Sequence, residues 1–562
     1  MEGPANPLAM VVKLVAVLLV ITSSCWGRKE EDLQGRWELL LENAGIAAIH
    51  TIVMHNNKVI MFDRPNHGSN ITRTSPPCTN VRPPLPIYSD CWAHSIEYDI
   101  ATNKVRPLHI LTDTWCSSGA LSSNGTLVQT GGWGPAGAFN VRYYTPCSDG
   151  TCDWVESVTE KMLGPRWYAS DQILPDNRII VVGGTDNQFN YEFVPKRPGE
   201  GLFNLPFLNQ TNDFEQNNLY PFLHLSSDGN LFIFANRDSI LLDYKNNKVI
   251  RTFPTMPGGG ARNYPSTGSS VMLPLDFSNG FKTVEIMICG GAPVGSFSRA
   301  EENKKSNSQV YLEALESCGR MEITSENPVW EMEDMPGPRV LNDMIILPTG
   351  EILIINGARN GSAGWQDARI PVLNPWLYSA ENLAGKRFTV LAPSTIPRMY
   401  HSTANLLPDG RILAAGSNAN ENYTFTDDVY SKTELRVDAY SPYYLDPVYE
   451  RVRPNITYVK PWAAIPYGSE FLVNFTVSGK LSSGVRFHVY APPFTSHSWS
   501  MNQRMLSLAA ASPIVKEKKS GKRFYWVVLT APPSPVAAPS GFYMLTIVNG
   551  GVPSQAQWIR FG

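Results

Sequence analysis

Four short segments carry the side chains that could do chemistry: Thr112-Asp-Thr-Trp-Cys116-Ser-Ser-Gly119, Pro165-Arg-Trp-Tyr168-Ala-Ser170, Pro397-Arg-Met-Tyr400-His401-Ser402 and Phe494-Thr-Ser-His497-Ser-Trp499. Between them they offer a thiol, two phenols and two imidazoles, the groups that serve as redox centres, acid–base catalysts and metal ligands. Taken singly each reads blandly: a tyrosine ahead of a strand is structural, and His497 alone is a satisfied loop histidine, the reading that His94, His109 and His488 keep. Trp115 and Trp167 adjoin the thiol and the first phenol, as a shield or as ordinary core.

Cys116 is set apart by counting. The eight cysteines are 25, 78, 91, 116, 147, 152, 289 and 318. Cys25 falls in an apparent leader segment, which leaves an odd number in an oxidising compartment. Cys78 with Cys91, Cys147 with Cys152 and Cys289 with Cys318 close the shortest loops. Cys116 is left over, either as a buried free thiol or as a reactive group.

The elements that must position these residues recur. An apolar strand end, an Asn/Asp/Gly turn and a second apolar run appear as Leu121-Ser-Ser-Asn-Gly-Thr-Leu-Val-Gln-Thr-Gly-Gly132, Leu174-Pro-Asp-Asn-Arg-Ile-Ile-Val-Val-Gly-Gly184 and Leu407-Pro-Asp-Gly-Arg-Ile-Leu-Ala-Ala-Gly416. Each predicts a β-hairpin. Seven such turns sit near 57, 124, 176, 228, 279, 349 and 409, with gaps of 67, 52, 52, 51, 70 and 60. A spacing near 50 with Gly-Gly strand ends is the kelch signal. Seven units predict a seven-bladed β-propeller over 28–443, each hairpin giving two of a blade's four strands. Cys116, Tyr168 and Tyr400 lie at equivalent places ahead of their hairpins, so they converge on the ring axis. From about Tyr444 the texture changes to short alternating strands such as Phe471-Leu-Val-Asn-Phe475, predicting an immunoglobulin-like sandwich over 444–562. The fold class is all-β.

Lys13 followed by the apolar run Leu14–Ile21, too short to span a bilayer, predicts a signal peptide over 1–27 and a secreted chain with no membrane span. No apolar tail ends the chain, so no lipid-anchor signal is expected. The sequons at Asn70, Asn124, Asn209, Asn360, Asn422, Asn455 and Asn474 fit a glycosylated extracellular protein. Lys+Arg of 47 against Asp+Glu of 50 excludes a polyanion-binding role, nucleic acid included.

The four segments in this context resemble the copper-radical oxidases, the family of galactose oxidase and glyoxal oxidase, over nearly the whole chain. The resemblance implies one copper ion held by Tyr168, Tyr400, His401 and His497, an N,O donor set suited to Cu(II). It also implies a Cys116–Tyr168 thioether as a protein-derived radical cofactor. Tyr400 would then be the base that takes the substrate's hydroxyl proton, and the Tyr168 radical would abstract hydrogen from carbon. Dioxygen would leave as hydrogen peroxide, for a peroxidase to use.

Two departures from galactose oxidase bear on substrate. Its tryptophan, shortly after a Gly-Gly matching Gly183-Gly184, is replaced by Thr185-Asp186-Asn187, and no carbohydrate-binding domain is expected ahead of the propeller. Both favour the glyoxal oxidase branch, as in the apoplast and cell wall of plants. That implies a monomeric oxidase of small aldehydes (glyoxal, methylglyoxal) taken as hydrates. Arg262 and Tyr264 line the pocket in this reading, or belong to a plain inter-blade loop. A primary-alcohol oxidase of wall carbohydrate and a catalytically dead kelch-like binding module are the alternatives.

Overall fold

The computed structural model describes residues 33–65, 71–73, 79–81, 88–306, 308–519 and 522–562. Seven antiparallel blades of four strands each form the propeller, six as separate sheets and one as part of a six-stranded sheet. Their innermost strands are His50–Met54, Ser118–Leu121, Ser170–Ile173, Phe222–Leu225, Gly268–Met272, Asp343–Ile346 and Ser402–Leu406, numbered here as blades 1 to 7. The second strands are the apolar runs of the repeat. Ile179–Val182 in blade 3 and Ile352–Ile355 in blade 6 are buried at every residue. Continuous β-branched and aliphatic sequence suits a strand covered on both faces by neighbouring blades.

The turns work as their residues demand. In blade 4, Ser226 N–H bonds Asn230 O at 2.9 Å and Gly229 N–H bonds Ser226 O at 3.0 Å, with Gly229 at φ 84°, a backbone glycine adopts without cost. Blade 5 departs from the expected tight hairpin. Between its first two strands, Leu275–Asp276 leaves the blade and pairs in parallel with Arg504–Ser507 of the sandwich.

Two long-range pairings complete the ring. Arg36–Leu41 forms the outermost strand of blade 7 beside Val437–Ser441, so the first described strand closes the circle and leaves no gap between first and last blades. The C-terminal unit is a sandwich, with Asn455–Lys460, Glu470–Thr476, Lys522–Thr530 and Val515–Lys519 on one sheet and Arg486–Ala491, Arg504–Ser507 and Gly541–Asn549 on the other. From it the hairpin Phe494–Ser496/Trp499–Met501 enters the ring and pairs with His50–Met54 of blade 1. Its place in the axis is tight: a Cβ on Gly119 would lie 2.8 Å from the Phe494 ring.

Cys147–Cys152 and Cys289–Cys318 are disulfide-bonded as expected. Cys91 is disulfide-bonded too; its expected partner Cys78, the segment 1–27 and Asn70 lie outside the described residues. Among the described residues Cys116 is the free, buried cysteine, and no helix is long and apolar enough to cross a membrane.

Candidate metal centre

One linker motif builds most of the site. Blades 3, 5, 6 and 7 are entered by Arg166-Trp-Tyr168, Arg262-Asn-Tyr264, Arg339-Val-Leu341 and Arg398-Met-Tyr400. Each arginine is buried and donates to a carbonyl at the far end of its blade's second strand: Arg166 to Gly183 O at 2.8 Å, Arg262 to Gly290 O at 2.7 Å, Arg339 to Ile354 O at 3.0 Å and Arg398 to Gly416 O at 2.7 Å. The arginines therefore fix the linkers, and the third residue of each motif is left to face its neighbours.

Blades also lock to each other at this level. Tyr168 N–H donates to Cys116 O and Tyr220 N–H to Tyr168 O, both at 2.9 Å. Cys116, Tyr168, Tyr220, Leu341, His401 and His497 all have φ between 48° and 63°. A left-handed conformation costs a residue with a Cβ about 1–3 kcal/mol, and these hydrogen bonds hold it in place. His497 and Ser498 form a two-residue turn with φ 48° and 65°, which puts His497 at the tip of the inserted hairpin.

The five residues singled out in the sequence converge. Cys116, His401 and His497 have ligand atoms within 4.8 Å of one another, with Cys116 Sγ 3.3 Å from His497 Nε2. The His401 ring stacks on Tyr400 at 3.7 Å and meets His497 edge-on at 4.8 Å. The Tyr168 ring lies 5.8 Å from His497 and the Tyr400 ring 5.7 Å from it. Tyr264 stands between the two phenols, its hydroxyl 3.0 Å from that of Tyr168 and 3.0 Å from that of Tyr400.

The histidine tautomer follows from the partners. His401 Nδ1 sits 2.8 Å from Asn418 O, and a carbonyl only accepts, so Nδ1 carries the proton. His401 Nε2 is then a lone pair, buried with no hydrogen-bond partner. An orphaned buried acceptor is costly unless something fills its place, and a metal ion does so. Ser496 Oγ, 2.7 Å from His497 Nδ1, orients the second imidazole.

Burial dominates the electrostatics. It holds His401 and His497 well below the usual imidazole range, so both are neutral and able to ligate. It pushes the phenols of Tyr168 and Tyr400 well above theirs. A phenolate in this site needs a cation beside it. Burial raises the Cys116 thiol as well, which favours the protonated thiol over a thiolate ligand. The donor set that fits an ion is two phenol oxygens and two imidazole nitrogens, with the sulfur beside them.

Arg262 is corrected. It does not line the site; its guanidinium is bonded to Gly290 O and to Ser317 O and Oγ at 2.7–2.9 Å, its share of the repeat's arginine anchor. Tyr264 does reach the centre. Three further groups carry less sequence signal. Tyr220 occupies in blade 4 the place of Tyr168 in blade 3, two residues ahead of its strand, and packs 5.1 Å from the His497 ring. Trp365, from an excursion within blade 6, stacks on Trp115 at 5.5 Å and meets His401 edge-on at 5.5 Å. Arg64 lies 4.3 Å over Trp115.

The family model for the glyoxal oxidase N-terminus matches residues 49–444, and that for the galactose oxidase-like early set domain matches 453–561. The chain is 44% identical to aldehyde oxidase GLOX of Vitis pseudoreticulata, over 94% of this chain and 97% of that protein. It is likewise 44% identical to aldehyde oxidase GLOX1 of Arabidopsis thaliana, over 94% and 85%. A fungal alcohol oxidase solved in complex with copper shares the fold, with a TM-score of 0.68 over 94% of this chain and 99% of that chain at 17% identity.

Proposed function

The chain belongs to the glyoxal oxidase family, and from that premise we propose that it is a secreted copper-radical oxidase that converts small aldehydes, as hydrates, to carboxylic acids. The reaction balances as RCH(OH)2 + O2 → RCOOH + H2O2. The observation that carries the reading is the buried, unpartnered His401 Nε2, on an imidazole grouped with His497 and Cys116 beside the rings of Tyr400 and Tyr168.

Tyr168, Tyr400, His401 and His497 would hold the copper. Bound copper together with a Cys116–Tyr168 thioether supplies a two-electron acceptor that dioxygen regenerates. The residues around it do the rest. Held as a phenolate beside the copper, the Tyr400 oxygen would accept the proton of the hydrate's hydroxyl, the work of a positioned general base. Asn418 O and Ser496 Oγ keep the imidazoles in one orientation. The indoles of Trp115, Trp167 and Trp365 pack over the centre and limit water at the ring that stores the oxidising equivalent.

The aldehyde class is supported by the two GLOX relatives and by Thr185-Asp186-Asn187, which leave galactose oxidase's tryptophan absent. Secretion is supported by exposed sequon asparagines at Asn124, Asn209, Asn422 and Asn455, whereas Asn360 and Asn474 are half-buried. The enzyme acts as a monomer, and its peroxide serves a peroxidase. The test is peroxide release from methylglyoxal, glyoxal and galactose by copper-loaded, secreted protein, with mass analysis of the Cys116 and Tyr168 peptides. Aldehyde-dependent peroxide and a joined peptide lacking two hydrogens are expected. Preference for galactose would establish the alcohol-oxidase alternative. Intact separate peptides and no bound copper would establish the binding-module alternative.

A further inference from the structure

We propose that Tyr264 is the third phenol of the centre, a positioning residue that stacks on the redox ring of Tyr168 and supplies the one hydroxyl shared by Tyr168 and Tyr400. This rests on the oxidase reading above.

The Tyr264 ring stacks on Tyr168 with centroids 4.3 Å apart and planes at 29°. Trp167 also packs on Tyr168, at 4.7 Å and 40°. The stacked partner of Tyr168 thus comes from the linker into blade 5, and the tilted one from its own chain neighbour. Tyr264 belongs to the same Arg-x-Tyr motif that delivers Tyr168 and Tyr400, and its neighbours pin it. Arg262 is tied to Gly290 and Ser317, and Asn263 Nδ2 donates to Tyr220 O at 3.0 Å. The ring is thus held by backbone anchored on both sides, as a positioning group must be.

A phenol has one proton to donate. Tyr264 has two phenol oxygens at 3.0 Å, so it bonds both only by donating to one and accepting from the other. Once Tyr168 and Tyr400 both serve as phenolate ligands, the Tyr264 hydroxyl keeps its proton, 3.0 Å from the Tyr168 oxygen. A hydrogen bond to a phenolate stabilises the reduced, anionic ring more than the neutral oxyl radical, because charge-assisted bonds are the stronger ones. Tyr264 therefore makes the Tyr168 radical a stronger oxidant, while its stacked face protects that radical from solvent. The two contributions oppose one another in radical lifetime, and two substitutions separate them.

The experiment uses full-length, copper-loaded protein as wild type, Tyr264→Phe and Tyr264→Leu. It measures the midpoint potential of the radical by optical titration, its half-life without substrate, copper affinity by chelator competition, and kcat and KM with methylglyoxal. Tyr264→Phe keeps the stack and loses the hydroxyl. Its potential should fall, its radical half-life should lengthen, and kcat should drop about tenfold with KM within about twofold. Tyr264→Leu loses both, and its half-life should be shorter than that of Tyr264→Phe by roughly fivefold or more, the loss of an aromatic contact. Tyr264→Phe removes one oxygen and carries the test by itself if the leucine variant does not fold. The proposal is overturned if wild type forms the radical and Tyr264→Phe matches it in potential and half-life, or shifts the potential upward. A wild type that takes up no copper and loses no hydrogens overturns the oxidase reading itself, and this proposal with it.

Discussion

Arg166-Trp167-Tyr168 leads into blade 3 and Arg339-Val340-Leu341 leads into blade 6 on nearly the same backbone, with φ of 62° at Tyr168 and 63° at Leu341. Both arginines are fully buried and both bond carbonyls of their own blade's second strand or its end. Beyond the backbone they diverge. Tyr168 reaches Tyr264 and the imidazoles, whereas Leu341 packs with Ala358, Met399 and Tyr400 as apolar wall. Arg166 pairs with the buried carboxylate of Glu192 at 2.8 Å; Arg339 lies 3.6 Å over the Trp376 ring instead. The scaffold is thus a repeated socket indifferent to what it presents. One linker presents an apolar wall residue in one blade and a phenol beside the imidazoles in another.

The sharpest break between the two blades is a single oxygen. Tyr168→Phe should lower peroxide release by about 10³-fold or more, a change of roughly 4 kcal/mol in barrier, and should abolish the joined Cys116 peptide. Its melting temperature should stay within about 2 °C of wild type, since the ring remains packed. Leu341→Met, at the matching position, should leave kcat within about threefold. Equal losses from both substitutions, measured by peroxide assay and thermal melting, would show that the socket rather than the phenol carries the activity.

The arginines predict the next largest difference. Arg166→Met leaves the buried Glu192 carboxylate with Lys196, at 3.7 Å, as its remaining counter-charge, and a cost of about 3 kcal/mol is expected. Arg339→Met loses two carbonyl bonds and a cation–π contact but strands no acid, and a cost below about 2 kcal/mol is expected. Urea unfolding of each variant measures both. The double variant Arg166→Met, Glu192→Leu should recover most of the loss, since it removes the stranded charge.

How far such contrasts can be read without coordinates depends on range. The hairpins were legible because Asn, Asp and Gly mark turns locally, and Cys116 because counting cysteines needs no fold. Tyr168, Tyr400 and His401 were legible as equivalent places in a repeat. The strand Arg36–Leu41 was not, because its partner Val437–Ser441 lies some four hundred residues away and no local pattern names it. The route of His497 into the ring was hidden for the same reason: His-Ser-Trp on a hairpin says nothing of which channel the hairpin enters. Arg262 and Tyr264 stand two residues apart and were read alike. The motif separates them, because its first residue always turns back to the blade and its third faces the axis.

A further contrast sits just inside the strands that these two linkers enter, Ser170–Ile173 and Asp343–Ile346. Asp171 of blade 3 accepts from Ser118 Oγ at 2.8 Å and from Thr130 Oγ1 at 2.9 Å. Asp343 of blade 6 accepts from Asn356 Nδ2 at 2.8 Å through one oxygen, while the other is buried without a partner. Burial pushes both carboxyls up, Asp171 to about 7 against its two hydroxyl donors and Asp343 to about 8. In the folded chain Asp343 keeps its proton up to that pH, whereas the unfolded chain releases it near 4. The folded state thus binds more protons between these values, and stability falls as pH rises through the window. Asp343→Asn mimics the protonated acid and removes that fall. Relative to wild type, the variant should gain about 2.7 kcal/mol between pH 5 and pH 7, at 1.36 kcal/mol per unit. Near pH 4 the two should unfold at the same urea concentration. A difference that stays constant from pH 4 to pH 7 would mean that Asp343 does not hold its proton, and that water satisfies its second oxygen as fully as two hydroxyls satisfy Asp171.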